Sequence, residues 1–298
     1  MNDTQRFARV AVLGRPNVGK STLLNRLVGT KLSITAAKPQ TTRHQILGVL
    51  TEGPTQLALI DTPGIHQGGN RALNRSLNRA ARAALEEADV LLWVIDATRF
   101  TEEDELVASL VKSAGKPLVI VLNKIDRIAD KTRLLPRLQQ LTEQYQAEAI
   151  VPFSAMKERS ASRVFQAVAK LAKPGEHAFA EDDLTDRSER FLAAERVREQ
   201  VVRQLRDELP FATSVEIESF QREGNLLRLA AVIWVEREGQ KAIVIGRSGE
   251  QLKQIGSHAR QVLEKFFDCK VHLETWVRVR ENWSDDERAL RALGVDEG

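Results

Sequence analysis

Cysteine is almost missing from this sequence: Cys269 is the only one in 298 residues. A lone thiol excludes an intramolecular disulfide and a cysteine-built zinc site, and it fits a reducing cytoplasm. Long hydrophobic runs are missing too. Runs such as 90–95 and 118–122 fall far short of the ~20 apolar residues a membrane-spanning helix needs. The first nine residues hold no apolar stretch of the secretory type, so no export signal is expected. The histidines show no metal-ligand spacing, and neither internal repeats nor low-complexity tracts occur. Charge of one sign is scarce: 44 Lys and Arg against 41 Asp and Glu leave a net +3. Any nucleic-acid binding must therefore come from a local patch. What is present, 42% hydrophobic and 29% charged residues, suits a soluble globular chain, and its length suggests two domains.

Residues 8–171 alternate between short apolar runs and helical patterns. The runs 9–13, 56–60, 90–95, 118–122 and 149–153 read as buried parallel strands, and 44–52 as an edge strand. Helical periodicity covers 70–87, 102–114 and 131–144. This order predicts an α/β domain, a mostly parallel sheet with helices on both faces. Pro174-Gly175 and the polar run 181–188 read as a linker. Beyond it the pattern predicts a helix over 191–209 stopped by Pro210, strands over 215–220 and 226–236 with a turn at 222–225, a helix over 249–267 and a strand over 271–279. Ser284-Asp285-Asp286-Glu287 reads as a capping box opening a terminal helix. The expected division is 1–173, a linker 174–188, a second domain 189–283, and a helix and tail 284–298.

Gly14-Arg15-Pro16-Asn17-Val18-Gly19-Lys20-Ser21, with Thr22 behind it, fits the P-loop pattern between a strand and a helix. Its glycines let backbone N–H groups wrap phosphates, and the helix N-terminus adds partial positive charge. Lys20 should reach the β- and γ-phosphates and Ser21 should bind Mg²⁺. A chance glycine turn is the bland alternative; the flanking strand and helix argue against it. Asn123-Lys124-Ile125-Asp126 follows a strand and names the base. A carboxylate at Asp126 accepts from the N1–H and 2-amino group of guanine, and adenine lacks that donor pair. Asn123 and Lys124 should brace the loop. Asp61-Thr62-Pro63-Gly64 ends another strand, where Asp61 can hold Mg²⁺ through water and the Gly64 N–H can meet the γ-phosphate. Ser154-Ala155, with Met156, should give backbone contacts to the guanine carbonyl. Gln40-Thr41-Thr42-Arg43-His44 reads as a switch loop, with Thr42 favoured over Thr41 as the Mg²⁺ ligand. Ser21, Thr42 and Asp61 form the expected metal set, and Lys20, Thr42, Asp61 and Gly64 the groups acting on the transferred phosphate. Ile65 cannot orient water through a side-chain amide, so slow hydrolysis is expected. Asn17 is a candidate K⁺ contact or only a shaper of the loop.

These five stretches, in this order, resemble the translation-factor-like branch of P-loop GTPases. Asp61-Thr62-Pro63-Gly64-Ile65-His66 with Leu73-Asn74-Arg75 resembles the second switch of the Era family. Leu184-Thr185-Asp186-Arg187-Ser188-Glu189-Arg190-Phe191-Leu192-Ala193-Ala194-Glu195 resembles the start of that family's second domain. The likeness runs from about Arg9 to Val295, with departures at Gly68-Gly69-Asn70 and in the tail after Gly294. It implies a GTPase that uses GTP/GDP and Mg²⁺ and assists small-subunit ribosome maturation. It also implies a type II KH domain, of α+β class, that binds small-subunit (16S) ribosomal RNA near its 3′ end.

Gly246-Arg247-Ser248-Gly249 fits that KH clamp, a turn that grips the backbone of about four nucleotides. Arg247 and, one turn into the helix, Lys253 offer charge. Residues 237–270 carry seven Lys and Arg against four Asp and Glu, a local +3. Trp234 and Trp276 read as packing residues rather than base platforms, and His66 as structural. The expected partners are ribosomal RNA and the 30S subunit, not DNA. A cytoplasmic monomer is expected, with peripheral association on the inner membrane left open. Two rivals remain: a GTPase linked to RNA modification, and a non-hydrolysing RNA-binding protein.

Overall fold

Six apolar runs pair into the main sheet of this computed structural model, which describes residues 4–36, 38, 41–64, 72–130, 132, 134–155, 159–205 and 209–292. They are β1 (Arg6–Leu13), β2 (Ile46–Glu52), β3 (Thr55–Asp61), β4 (Val90–Asp96), β5 (Leu118–Asn123) and β6 (Ala149–Pro152), in the order β2-β3-β1-β4-β5-β6. All neighbours run parallel except the β2–β3 hairpin. Helices α1 (Lys20–Val28), α2 (Ala72–Glu87), α3 (Glu102–Ala114), α4 (Leu134–Tyr145) and α5 (Arg159–Ala169) make the crossovers. Every residue of β3, β4 and β5 is buried, as strands covered on both faces must be. Trp93 centres the core, its ring edge-on to Tyr145 at 4.9 Å.

The register lines up the carboxyl ends of the strands. Val12 faces Asp61, and Asp96 faces Asn123. Loops leaving that edge converge, the usual place for a ligand in an open parallel sheet.

Two compact units result: residues 1–33, 42–69 and 77–186, and residues 34–41, 70–76 and 187–298. The stretch expected to be a linker is fixed to the first unit as far as 186. A two-residue strand, β7 (Lys173–Pro174), pairs antiparallel with the start of β1. Gln56 exchanges two side-chain hydrogen bonds with the Phe179 backbone, and the Val49 N–H donates to the Leu184 carbonyl at 2.8 Å.

The second unit runs α6 (Glu189–Gln204), β8 (Thr213–Glu223), β9 (Leu226–Val235), α7 (Glu238–Ile245), α8 (Glu250–Phe267), β10 (Lys270–Val279) and α9 (Glu287–Ala292). Its sheet has the order β10-β9-β8, with β9–β10 parallel and β8–β9 antiparallel. Helices α6 and α8 bury Val197, Val201, Ile255, Ala259 and Leu263 against the sheet residues Leu229 and Ile233. Two expectations need correction. Helix α6 ends at Gln204, not Leu209, because Leu205 turns extended (φ −84°, ψ 157°) and its carbonyl takes the Lys38 ammonium. Ser284 does not cap the last helix. It donates to Glu236, while Asp286 accepts from the Arg288 N–H at 2.8 Å and Asp285 accepts from the Ala72 N–H.

Candidate nucleotide site and nucleic-acid clamp

The P-loop leaves β1 through Gly14 (φ +149°) and enters α1 through Gly19 (φ +103°). A Cβ on Gly14 would lie 2.6 Å from the Val94 carbonyl, and one on Gly19 2.3 Å from Asn123 Nδ2. The Val94 backbone cannot yield, and the positive φ at both positions disfavours any other residue, so both require glycine. Lys20 is buried, and its ammonium donates to the Gly14 and Arg15 carbonyls at 2.9 and 3.0 Å. Burial drops its pKa to about 8, partly offset by Asp61. A phosphate would replace those carbonyls and restore the charged form. The Arg15 side chain does not turn toward a phosphate. Its Nε donates to Asp104 at 2.8 Å, leaving its backbone for the ligand.

The expected Mg²⁺ ligands meet. Ser21 Oγ and Thr42 Oγ1 lie 2.8 Å apart, close to the ~2.9 Å between cis ligands of an octahedron with Mg–O near 2.0–2.1 Å. Thr41 is turned away, its hydroxyl donating to the Lys38 carbonyl at 2.7 Å. Asp61 is fully buried; Ser33 donates to its Oδ2, and its Oδ1 has no hydrogen-bond partner among the described residues. Burial raises its pKa, against the pull of Lys20. An orphaned buried carboxylate oxygen beside two converging hydroxyls fits a hard divalent cation. Thr62 anchors its turn by donating to the Val12 carbonyl at 2.8 Å. Gly64 lies on the P-loop, where an added Cβ would come 2.7 Å from the Pro16 nitrogen. Gln40, Ile65, His66, Gly68, Gly69, Asn70 and Met156 lie outside the described residues, as does the end of the tail.

The base loop is tied to the P-loop. Asn123 Nδ2 donates to the Val18 carbonyl at 2.7 Å. Lys124, held at φ 64°, sends its ammonium to the Asn17 carbonyl at 2.7 Å and to Asp96 at 2.8 Å. Asp126 is exposed, and Ser154 donates to its Oδ1 at 2.7 Å. The side chain of Ser154 thus fixes the carboxylate expected to read the base, a role the sequence reading did not give it. Asp96 and Asp104 were missed altogether, although Asp96 ends its strand as Asp61 and Asn123 end theirs.

In the second unit, α6 clasps the segment before Thr42. Glu199 accepts from the Thr35 N–H at 3.1 Å, Arg203 donates to the Thr35 carbonyl at 3.1 Å, and Arg198 donates to the Thr41 carbonyl at 2.7 Å. Arg198 is itself paired with Glu195 at 2.6 Å, both buried.

Gly246 (φ +73°) and Gly249 (φ +80°) frame the turn between α7 and α8, with Ser248 at φ 54°. Arg247, Ser248 and Lys253 are exposed. A Cβ on Gly246 would meet Gln251 Cβ at 2.6 Å, whereas one on Gly249 meets nothing. Trp234 packs on its sheet, with its indole N–H donating to Glu216 at 3.0 Å; Trp276 is 41% exposed.

Fold and site together define a P-loop GTPase of guanine type joined to a type II KH domain. A family model for the 50S ribosome-binding GTPase matches residues 9–124, and one for the KH domain matches 208–284. GTPase Era of Stenotrophomonas maltophilia (strain K279a) is 57% identical over 287 residues, 96% of either chain. GTPase Era of Xanthomonas axonopodis pv. citri (strain 306) is 55% identical over 98% of this chain and 97% of its own. Among solved structures, Era in complex with MgGDPNP and nucleotides 1506–1542 of 16S ribosomal RNA matches with a TM-score of 0.93 and 38% identity, covering 98% of this chain and 99% of its own. An Aquifex aeolicus Era variant bound to GDP·AlF4⁻ matches equally well. The chain belongs to the GTPase Era family and is a GTP-hydrolysing protein with an RNA-binding KH domain.

Proposed function

We propose that this chain uses a Mg²⁺·GTP cycle to control its binding of the 3′ end of 16S ribosomal RNA during 30S subunit maturation. The Ser21–Thr42 approach of 2.8 Å carries the nucleotide half of this reading. Mg²⁺, held by Ser21, Thr42 and Asp61, would neutralise charge on the β- and γ-phosphate oxygens. Lys20 and the P-loop N–H groups hold the phosphates, the Gly64 N–H faces the γ-phosphate, and Asp126, set by Ser154, reads guanine. Ser33 and burial keep Asp61 in one orientation.

The RNA half rests on the exposed turn 246–249, which presents Arg247, Ser248 and then Lys253 to a passing phosphodiester backbone. The relative solved with MgGDPNP holds nucleotides 1506–1542 of 16S ribosomal RNA, which supports the same RNA as ligand here. Arg198 of α6 holds the Thr41 carbonyl, and the next residue, Thr42, supplies the metal-facing hydroxyl. The protein acts as a cytoplasmic monomer. No helix among the described residues is long and apolar enough to cross a membrane; flotation with vesicles of bacterial lipid tests for peripheral association with the inner membrane. Crosslinking in cells, with sequencing of the attached RNA, tests the partner. Reads should gather at the 3′ end of 16S ribosomal RNA; reads centred on 23S ribosomal RNA or transfer RNA would overturn the reading.

A further inference from the structure

Two carboxylates and two cations alternate beneath the nucleotide loops. Asp104, fully buried in the first turn of α3, accepts from Arg15 Nε at 2.8 Å. The same Asp104 oxygen accepts from the N–H and hydroxyl of Thr101 at 3.0 and 3.1 Å. Arg15 Nη2 lies 3.8 Å from Asp96 Oδ2 without a hydrogen bond. Asp96 Oδ2 accepts from Lys124 Nζ at 2.8 Å, and Lys124 reaches the Asn17 carbonyl. The other Asp96 oxygen accepts from the Thr98 N–H and hydroxyl at 2.9 and 2.7 Å. The P-loop contributes Arg15 and Asn17, the base loop contributes Lys124, and Asp96 stands between them.

A buried charge is kept only when paired, and the pairing fixes geometry. Lys124 sits at a left-handed φ, a conformation that a long side chain does not prefer and that its surroundings must enforce. Asp96 supplies a charge-assisted partner for its ammonium, and the strand β4 supplies a rigid base for Asp96. Burial alone would raise the Asp96 pKa, but the hydrogen bonds from Lys124 and Thr98 outweigh it and hold the carboxyl below its usual range. It therefore stays charged at any pH where the protein works.

We propose that Asp96 is a positioning residue for guanine-nucleotide binding: it aims Lys124 at the P-loop, so that the base loop and the phosphate loop close on one ligand as a unit. Asp96 acts through Lys124 and touches no ligand itself. The inference rests on the nucleotide site described above and adds to it a group outside all five nucleotide stretches.

A double-mutant cycle on the full chain tests it, with GDP dissociation constants measured for the parent, Asp96→Asn, Lys124→Met and the pair. Asp96→Asn should weaken GDP by about tenfold or more, since an ion pair with the Lys124 ammonium becomes a hydrogen bond to a neutral amide. The double variant should bind within about twofold of Lys124→Met alone, because Asp96 has nothing left to aim. A general structural role would instead multiply the two losses. Thr98→Val, at an exposed position, removes one hydrogen bond from Asp96 and should weaken GDP about two- to fivefold, falling to no effect in the Lys124→Met background. This variant decides the matter if Asp96→Asn melts early. Unchanged GDP affinity in Asp96→Asn and Thr98→Val, or multiplying losses in the cycle, overturns the proposal. Normal GDP binding by the parent in the same series keeps that failure distinct from a failure of the site itself.

Discussion

The P-loop and the turn at 246–249 both carry glycines at positive φ, yet their surroundings are opposite. Around the P-loop, Val94, Asn123, Gly64 and Lys124 press on the loop from several sides, and Arg15 is locked beneath it. Around the KH turn, Arg247 and Ser248 stand in solvent, and among the described residues only Gln251 crowds a glycine. A small ligand read atom by atom needs groups desolvated and fixed in advance. A polymer backbone gripped in water needs only exposed cations and room to approach, and its affinity falls with salt. The nucleotide site should therefore fail abruptly when one group changes, and the RNA site gradually.

Asp126→Asn should break the nucleotide side most severely. Loss of the carboxylate leaves two guanine donors facing an amide, so GTP should weaken by about 10³-fold or more while xanthosine triphosphate gains. Competition binding with both nucleotides reads this directly; unchanged GTP affinity would mean that Asp126 does not read the base.

Lys20 makes the same side sensitive to pH. With no ligand its pKa is about 8, and bound phosphates favour the charged form and raise it. Below about 8 the lysine is charged with or without ligand, so affinity is flat. Above it, binding must take up a proton, and GDP affinity should fall by up to about tenfold per pH unit. Without ligand the sign reverses: the unfolded lysine holds its proton up to 10.5, so folding stability gains from this group between about 8 and 10.5. Titration calorimetry at pH 7, 8 and 9, with Lys20→Met as a control lacking the slope, checks the first statement.

The hold of α6 on Thr35 and Thr41 should give the smallest effect. Replacing Arg198 and Glu195 together by Met frees the Thr41 carbonyl without stranding a buried charge. Thr42 then has to be ordered by Mg²⁺ alone, and the Mg²⁺ needed for half-maximal hydrolysis should rise about two- to fivefold. An unchanged Mg²⁺ titration would detach α6 from the switch.

Sequence reading went furthest where function depends on consecutive residues. The P-loop, Asp61–Gly64, Asn123–Asp126 and Gly246–Gly249 each carry their geometry in a few neighbouring positions, and the strands before them are plain apolar runs. It failed where partners are distant in the chain. Asp104 looks like an ordinary acidic residue in the first turn of a helix; only the fold brings Arg15, 89 positions away, against it. Helix α6 continues in pattern past Gln204, and it ends because Lys38, far upstream, takes the Leu205 carbonyl. Ser284 followed by Glu287 has the spacing of a capping box, but Glu236 competes for the serine. Local propensity cannot report such competition.

Arg247→Asp combined with Ser248→Asp tests most directly that one chain holds two separate grips. It avoids Gly246, where any Cβ would strike Gln251, and it puts two negative charges where phosphates must pass. On the full chain, titrated in parallel with GDP and with an RNA matching the 3′ end of 16S ribosomal RNA, the account predicts RNA affinity lower by at least about tenfold. The RNA salt dependence should be shallower and GDP affinity unchanged. RNA held as tightly as by the parent, or GDP lost along with RNA in a variant that melts normally, would contradict it.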